Sequence, residues 1–267
     1  VSRLLKMPLG FCVGVVSDNF RLRRQRHCCR SKDSSIYLAA KRSGSASTAK
    51  VAEYVDITEG EYDLWKLDSI PKMLKEGALG IIPTDSSYSF VCTMSNREGM
   101  DRIYQLKNLS GTKKPLSLIC SNLSMVQKYT HSIDKPMFKM LRAALPGPYT
   151  FILPANSSVP RVILEHKVHR KVWKRREVGI RVPNDMYCLA ILEQLEEPLL
   201  VSSIQDEENE SKSQDCPGAL LDRWGSSVDF IVGVGERKKH PSTIIDCTKI
   251  PYEVIREGSG DLSILPD

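Results

Sequence analysis

Polar residues gather where the apolar segments of this chain stop. "GIIPTDSSY" sets Thr84, Asp85 and Tyr88 directly after an apolar run, "PGPYT" opens another with Thr150, and "VGIRVP" holds Arg181. "LLVSSIQ" ends in Ser203 and Gln205, and "HPSTIID" carries Ser242. Hydroxyls, amides and guanidinium groups of this kind bind carboxylates and phosphates. Lysines extend the pattern: Lys107 ends a helical repeat, and Lys113 and Lys114 precede an apolar run, so three ammonium groups flank one polar connector suited to an anion. Taken singly, each cluster is also ordinary turn chemistry, because Ser, Thr, Gly and Pro close strands for conformational reasons.

Other catalytic plans are not written in the sequence. It has no Walker loop, no G-x-G-x-x-G, no nucleophile elbow and no metal-ligand motif, and its five histidines fall in no catalytic spacing. The eight cysteines, at positions 12, 28, 29, 92, 120, 188, 216 and 247, form no C-x-x-C pair. That excludes a zinc ribbon and gives no disulfide framework. Cys92, Cys120 and Cys188 stand in apolar company and are expected as buried free thiols in a reducing compartment.

The elements that would position these residues alternate between helical and strand patterns, as in an α/β domain with an open sheet. Helices are predicted over residues 63–76, 96–107, 124–129, 135–144 and 185–195, and strands at 78–83, from Pro115, in "YTFILPA", "VGIRVP", "PLLVSSI", "VDFIVGVG" and "STIIDCT", and at 253–256. In an open sheet of this class, ligands sit at strand ends, where the connecting loops converge. Residues 205–218, polar and acidic, are expected as a mobile surface loop or lid. The basic stretch "HKVHRKVWKRRE" is expected as a solvated helix or loop, or as an arm that sets Lys and Arg on RNA phosphates and Trp173 on a base.

Charge separates the chain into two parts. Of its 38 Lys/Arg and 32 Asp/Glu, eleven and two fall in the first fifty residues, which leaves 27 and 30 for the rest. Residues 1–55 are therefore expected as a basic, Ser/Arg-rich extension, either a transit peptide for a chloroplast or mitochondrion or a disordered tail of a cytoplasmic protein. Residues 56–267 are expected to fold as one domain. The longest apolar run, residues 8–16, is too short to cross a bilayer, and no membrane partner is expected.

In order along the chain, "GIIPTDSSYSF", "RIYQLKN", "KKPLSLI", "LPGPYTFIL", "VGIRVP", "PLLVSSIQ" and "PSTIIDCT" with "IREG" resemble the YrdC-like family of L-threonylcarbamoyladenylate synthases. Seven segments agree over about residues 65–260. The resemblance implies a twisted open mixed sheet with helices on both faces, a fold shared with dihydroxybutanone phosphate synthase, around a positively charged cavity. It implies condensation of L-threonine, bicarbonate and ATP to threonylcarbamoyl-AMP and pyrophosphate, usually with Mg2+, towards N6-threonylcarbamoyladenosine at position 37 of tRNA.

By that resemblance Lys107 and Arg181 are catalytic. Thr84, Asp85, Tyr88, Thr150 and Arg181 bind threonine. Lys107, Lys113, Lys114, Ser203, Gln205, Ser242 and Arg256 bind the nucleotide. Three positions depart from the family pattern: Ser89 replaces a glycine, Lys107-Asn108-Leu109 replaces Lys-x-Arg, and Ser203-Ile204-Gln205 replaces Ser-Ala-Asn. The alternative expectation is a relative without synthase activity that binds nucleotide, tRNA or double-stranded RNA.

Overall fold

The computed structural model describes residues 51–57, 60–108, 115–168, 171–174, 176–204, 216–237 and 240–265. The basic extension of residues 1–50, Lys113, Lys114, Gln205 and residues 206–215 of the acidic loop lie outside the described residues.

Ten strands form one sheet: β1 (Glu53–Asp56), β2 (Gly80–Pro83), β3 (Tyr88–Thr93), β4 (Ser117–Ile119), β5 (Tyr149–Pro154), β8 (Glu177–Arg181), β9 (Leu199–Ser203), β10 (Phe230–Gly233), β11 (Thr243–Asp246) and β12 (Glu253–Arg256). β6 (Glu165–Val168) and β7 (Lys171–Lys174) pair only with each other. The order in the large sheet is β1-β10-β2-β3-β9-β4-β8-β5-β11-β12. Four pairs are parallel (β1 with β10, β10 with β2, β4 with β8, β5 with β11) and the other five antiparallel, so the sheet is mixed, and its two end strands leave it open. β1 places ordered strand across the expected boundary at residue 55.

Helices cover both faces. α2 (Arg97–Leu106), α3 (Leu123–Tyr129), α4 (Lys135–Ala144) and α7 (Pro217–Trp224) bury Ile103, Val126, Leu141 and Leu220 with Leu79, Phe90, Leu118, Phe151 and Ile180 of the strands. On the other face α1 (Ser69–Lys75) and α6 (Met186–Glu193) bury Ile70, Leu74, Ile191 and Leu192 against Val55, Ile82, Val91, Ile119, Leu199 and Phe230. A single turn, α5 (Arg161–Leu164), precedes β6. No helix among the described residues is long and apolar enough to cross a membrane.

The helices begin where side chains can cap them. Asn96, Asn122, Asp134 and Asp185 each accept a hydrogen bond from the backbone N–H three residues on, at 2.8–2.9 Å. The helix expected at 63–76 is instead a 3-10 segment, Gly60–Asp68, followed by α1. Pro71 explains the break: inside one continuous α-helix its ring would meet the carbonyl of Leu67, whereas near the start of α1 its missing N–H costs nothing.

Three further elements differ from the sequence expectation. β3 was not expected because its six residues are buried throughout and show no alternation. The acidic loop stops earlier than residue 218, since Pro217 and Gly218 already belong to α7, where proline suits the first helical turn. The basic stretch is neither helix nor loop: β6 and β7 make an antiparallel hairpin, with Val168, Val172 and Trp173 favouring strand.

Gly80 of β2 lies beside Phe230 of β10, and a Cβ there would sit 2.2 Å from the ring. Gly80→Ala is therefore expected to displace Phe230 and lower stability by about 1–3 kcal/mol, read from denaturant unfolding. A second test concerns the thiols. Burial pushes Cys92, Cys120 and Cys247 up to about 12 and raises Cys188 well above its ordinary value. At pH 8 only about 10⁻⁴ of a thiol titrating near 12 is the reactive thiolate. These four should resist a thiol reagent in the native protein and react on unfolding, as mass spectrometry of the labelled peptides would show.

Candidate functional site

The residues from Thr84 to Ser87 form the turn between β2 and β3, and Thr84 closes it. Its Oγ1 donates to the Ser87 carbonyl at 2.6 Å and accepts from the N–H groups of Ser86 and Ser87, both at 3.3 Å. The hydroxyl is spent on the turn. Asp85 is thereby turned onto Arg181 of β8: Arg181 Nη2 donates to Asp85 Oδ1 at 2.6 Å and to Ser86 Oγ at 2.9 Å. β3, β9 and β4 lie between β2 and β8, so the turn folds over the sheet face to make this pair.

The pair is buried, with both side chains 7 % exposed. Asn184 N–H completes Asp85 by donating to Oδ2 at 3.0 Å. Burial raises Asp85 above its ordinary value, outweighing the opposing pull of Arg181 and of the Asn184 N–H. Arg181 Nε is buried and has no hydrogen-bond partner in the structure.

Strand register builds the rest of the site on the same face as Arg181. Ser89 pairs with Ser203, Ser117 pairs with Val201 two residues before Ser203, and Thr150 pairs in parallel with Ile244 next to Thr243 and Ser242. Side chains two residues apart on a strand share a face. Gly179 of β8 keeps the middle open, since a Cβ there would come within 2.9 Å of Ser117 Oγ and 3.4 Å of Thr150 Cγ2. Thr150 Oγ1 and Ser242 Oγ share a hydrogen bond of 2.9 Å. Arg256 Nη2 donates to the Ser242 carbonyl at 2.8 Å and to its Oγ at 3.2 Å. Where α1 and α6 bury this face it is apolar; beyond them it is a row of small hydroxyl residues ended by arginines.

Lys107, the residue after α2, donates from Nζ to the Ser203 carbonyl at 2.5 Å. The register explains why that carbonyl is available. Continued two residues past the Ser117–Val201 pair, where β4 has not yet begun, that register would set Ser203 opposite Pro115, which has no N–H to give. The lysine supplies the donor that the ladder lacks, and its ammonium is held at the same sheet edge as Ser203.

The structure thus brings Asp85, Arg181, Thr150, Ser242 and Arg256 to one face, with Ser203 and Lys107 at its margin and Thr84 shaping the turn. Tyr88 is set apart. Its ring packs in the core of the opposite face, and its Oη donates to the Gly235 carbonyl at 2.7 Å and accepts from Val234 N–H at 3.0 Å. It fixes the exit of β10. Lys113, Lys114 and Gln205 are outside the described residues.

Several site residues were not singled out in the sequence. Ser86 joins Arg181, and Ser117 and Gly179 line the hydroxyl row. Asp185 caps α6 and pairs with Arg237, at 2.8 Å. The signal for Ser117 and Gly179 was register alone, which no local motif reports. The Mg2+ implied by the resemblance finds no cluster of three His, Cys, Asp or Glu among the described residues, and Asp85 and Asp185 are already bound to arginines.

Residues 72–258 match the Sua5/YciO/YrdC family model, described as "Telomere recombination". The Escherichia coli protein YciO is 33 % identical over 191 residues, covering 72 % of this chain and 88 % of its own; its crystal structure superposes with a TM-score of 0.69 over 80 % of this chain and 98 % of that one. A threonylcarbamoyl-AMP synthase of Vibrio vulnificus is 25 % identical over 198 residues, 72 % of this chain and 98 % of its own. The crystal structure of Pyrococcus abyssi Sua5 complexed with L-threonine, 23 % identical, shares the fold with a TM-score of 0.65, covering 77 % of this chain and 57 % of that one. With seven tenths of its length matched, and with the open mixed sheet and both helical layers in common, the chain belongs to the Sua5/YciO/YrdC family.

Proposed function

We propose that this chain is a threonylcarbamoyl-AMP synthase, joining L-threonine, bicarbonate and ATP on the hydroxyl-lined face beside Arg181. The observation that carries the reading is the convergence of Arg181, Thr150, Ser242 and Arg256 from separate strands onto one sheet face, with Ser203 and the Lys107 ammonium at its margin. This donor set holds anions, and its Thr150 and Ser242 hydroxyls are bonded to each other and to Arg256 rather than to a base that would make a nucleophile of them, which suits the reaction. The threonine nitrogen attacks the bicarbonate carbon and water leaves; a carbamate oxygen then attacks the α-phosphorus and pyrophosphate leaves. The reacting groups are all supplied by substrates, so the protein's part is alignment and charge stabilisation.

The residues divide the work by position. Arg181 keeps its Nη2 on Asp85 and Ser86 and offers the unpartnered Nε to the threonine carboxylate. Arg256 and Ser242 form a second donor group, and Lys107 a third at the Ser203 edge, for the nucleotide phosphates. Thr84, with its hydroxyl inside the turn, holds Asp85 in place.

The reading is tested by pyrophosphate release from ATP by the full chain, with threonine and bicarbonate each omitted in turn. Release that requires both supports it; release that ignores threonine, or none above background at high enzyme concentration, sinks it. Arg181→Lys is expected to lower kcat/KM for threonine by about 10²–10³, since a lysine cannot present the guanidinium edge. Asp85→Ala should cost stability as well as activity, by about 3–5 kcal/mol, because it leaves Arg181 buried without its carboxylate; urea midpoints of the two variants would separate these effects.

A further inference from the structure

α4 has two faces of opposite character. Met137, Met140, Leu141 and Ala144 are buried in the core. At 3.6 residues per turn, Lys135, Phe138, Lys139 and Arg142 then fall together on the side turned away from it. Phe138 belongs to neither core cluster, although a ring of its size ordinarily would. α4 covers the sheet face opposite the hydroxyl row, so this outward stripe is no part of the site described above.

The stripe borders a cavity of ≈ 330 Å³, which Gln127 of α3 and Ile133 of the connection between the helices complete. Ile133 and Phe138 are half-buried, whereas Gln127, Lys135, Lys139 and Arg142 are exposed, so an apolar floor lies inside a cationic rim. The rim is uncompensated. Arg102, Arg181 and Arg237 each rest on an aspartate, but the side chains of Lys135, Lys139 and Arg142 meet no hydrogen-bond or ion-pair partner among the described residues. The one carboxylate at the cavity, Asp134, already accepts the Met137 N–H at 2.9 Å as the cap of α4. Residues 51–267 hold 27 Lys/Arg against 30 Asp/Glu, so three unpaired cations in one place make a local attraction for negative charge on a domain without an overall excess of positive charge.

Charge and shape together select the occupant. The cations are spread over about 10 Å of helix, at 1.5 Å per residue. Side chains on one side of an extended peptide recur about every 6.8 Å, so an acid-x-apolar-x-acid segment reaches across the rim with its central side chain over Phe138 and Ile133. A small inorganic anion would leave that floor uncovered, and a polynucleotide has no aliphatic side chain to fill the space beside Ile133. We propose that this cleft docks an acidic, extended segment of a partner protein, with an apolar side chain on Phe138 and Ile133 and carboxylates on Lys135, Lys139 and Arg142. The proposal is independent of the synthase reading.

The test uses the full chain throughout, because residues 1–50 carry eleven Lys/Arg of their own and must be common to all variants. The probe is a labelled nonapeptide that alternates Glu and Ser around a central Leu, compared with the same peptide carrying a central Ser and with an oligoribonucleotide of equal charge. Saturable binding of the Leu peptide that weakens with salt is expected, with the central-Ser peptide bound about fivefold more weakly by the native chain. Neutralising Lys135, Lys139 and Arg142 together to Gln is expected to weaken the Leu peptide about tenfold and to flatten its salt dependence. Phe138→Ala is expected to weaken the Leu peptide about fivefold and to leave the central-Ser peptide unchanged, with recovery in Phe138→Leu. Absence of saturable binding, equal affinity for the two peptides, or unchanged affinity in the triple variant would each overturn the proposal. An oligoribonucleotide that loses as much affinity as the peptide in the triple variant would overturn it too, by assigning the face to nucleic acid. The comparison of the two peptides is made on the native chain and does not depend on the folding of any variant.

Discussion

The ion pair between Asp85 and Arg181 is the contact on which the candidate site depends. Two charges buried to this extent lose much hydration, and a pair of this kind contributes more to position than to stability. What it positions is a turn after β2 against the end of β8, across three intervening strands. The Asn184 N–H and the Ser86 hydroxyl complete the pair, so the turn, β8 and the segment leading to α6 are fixed together. Asp185 carries the linkage on to Arg237, and Tyr88 holds the exit of β10 from the other face. The ends of three elements are thereby tied around one guanidinium group.

Much of the fold was legible because helices announce their beginnings. Asn96, Asp134 and Asp185 stand before periodic apolar segments, and each is a cap in the structure. The elements that were not legible had a physical reason to be silent. β3 is buried on both faces and has no period, and Pro71 divides what the apolar spacing of residues 63–76 presents as one helix. The hairpin's charge hid its strand pattern. The site was legible as an ordered series of strand ends, but its floor was not. Ser117 and Gly179 belong to it only because β4, β8 and β5 align them, and alignment between strands distant in sequence is a property of the sheet rather than of any segment.

The structure also resolves what the departures from the family pattern do to the backbone. Ser89, in place of glycine, lies in regular strand and does not take a positive φ; among the described residues only Asn108 and Ser132 do so without being glycine. Ile204, bulkier than the alanine of the pattern, is buried in the core on the face covered by α2, α3, α4 and α7, while its N–H bonds to the Tyr88 carbonyl. Asn108 follows Lys107 with φ at 51°, a conformation asparagine tolerates better than most residues. Lys107, just before it, is bonded to the Ser203 carbonyl.

This arrangement decides which charges face a ligand. Arg181 could have presented its whole bidentate edge, but Asp85 and Ser86 share one nitrogen and leave Nε alone. A buried Nε–H is directional, and the guanidinium that carries it is partly neutralised by the carboxylate beside it. The site thus opposes a ligand carboxylate with less charge than a free arginine would, and with a fixed geometry in exchange. Because Asp85 is itself held above its ordinary protonation range by burial, the pairing is strongest only where that carboxyl is ionised. The folded chain favours the protonated form of this buried carboxyl, so acid takes the competing charge away from Arg181 while the contribution of Asp85 to folding stability rises as pH falls through that range.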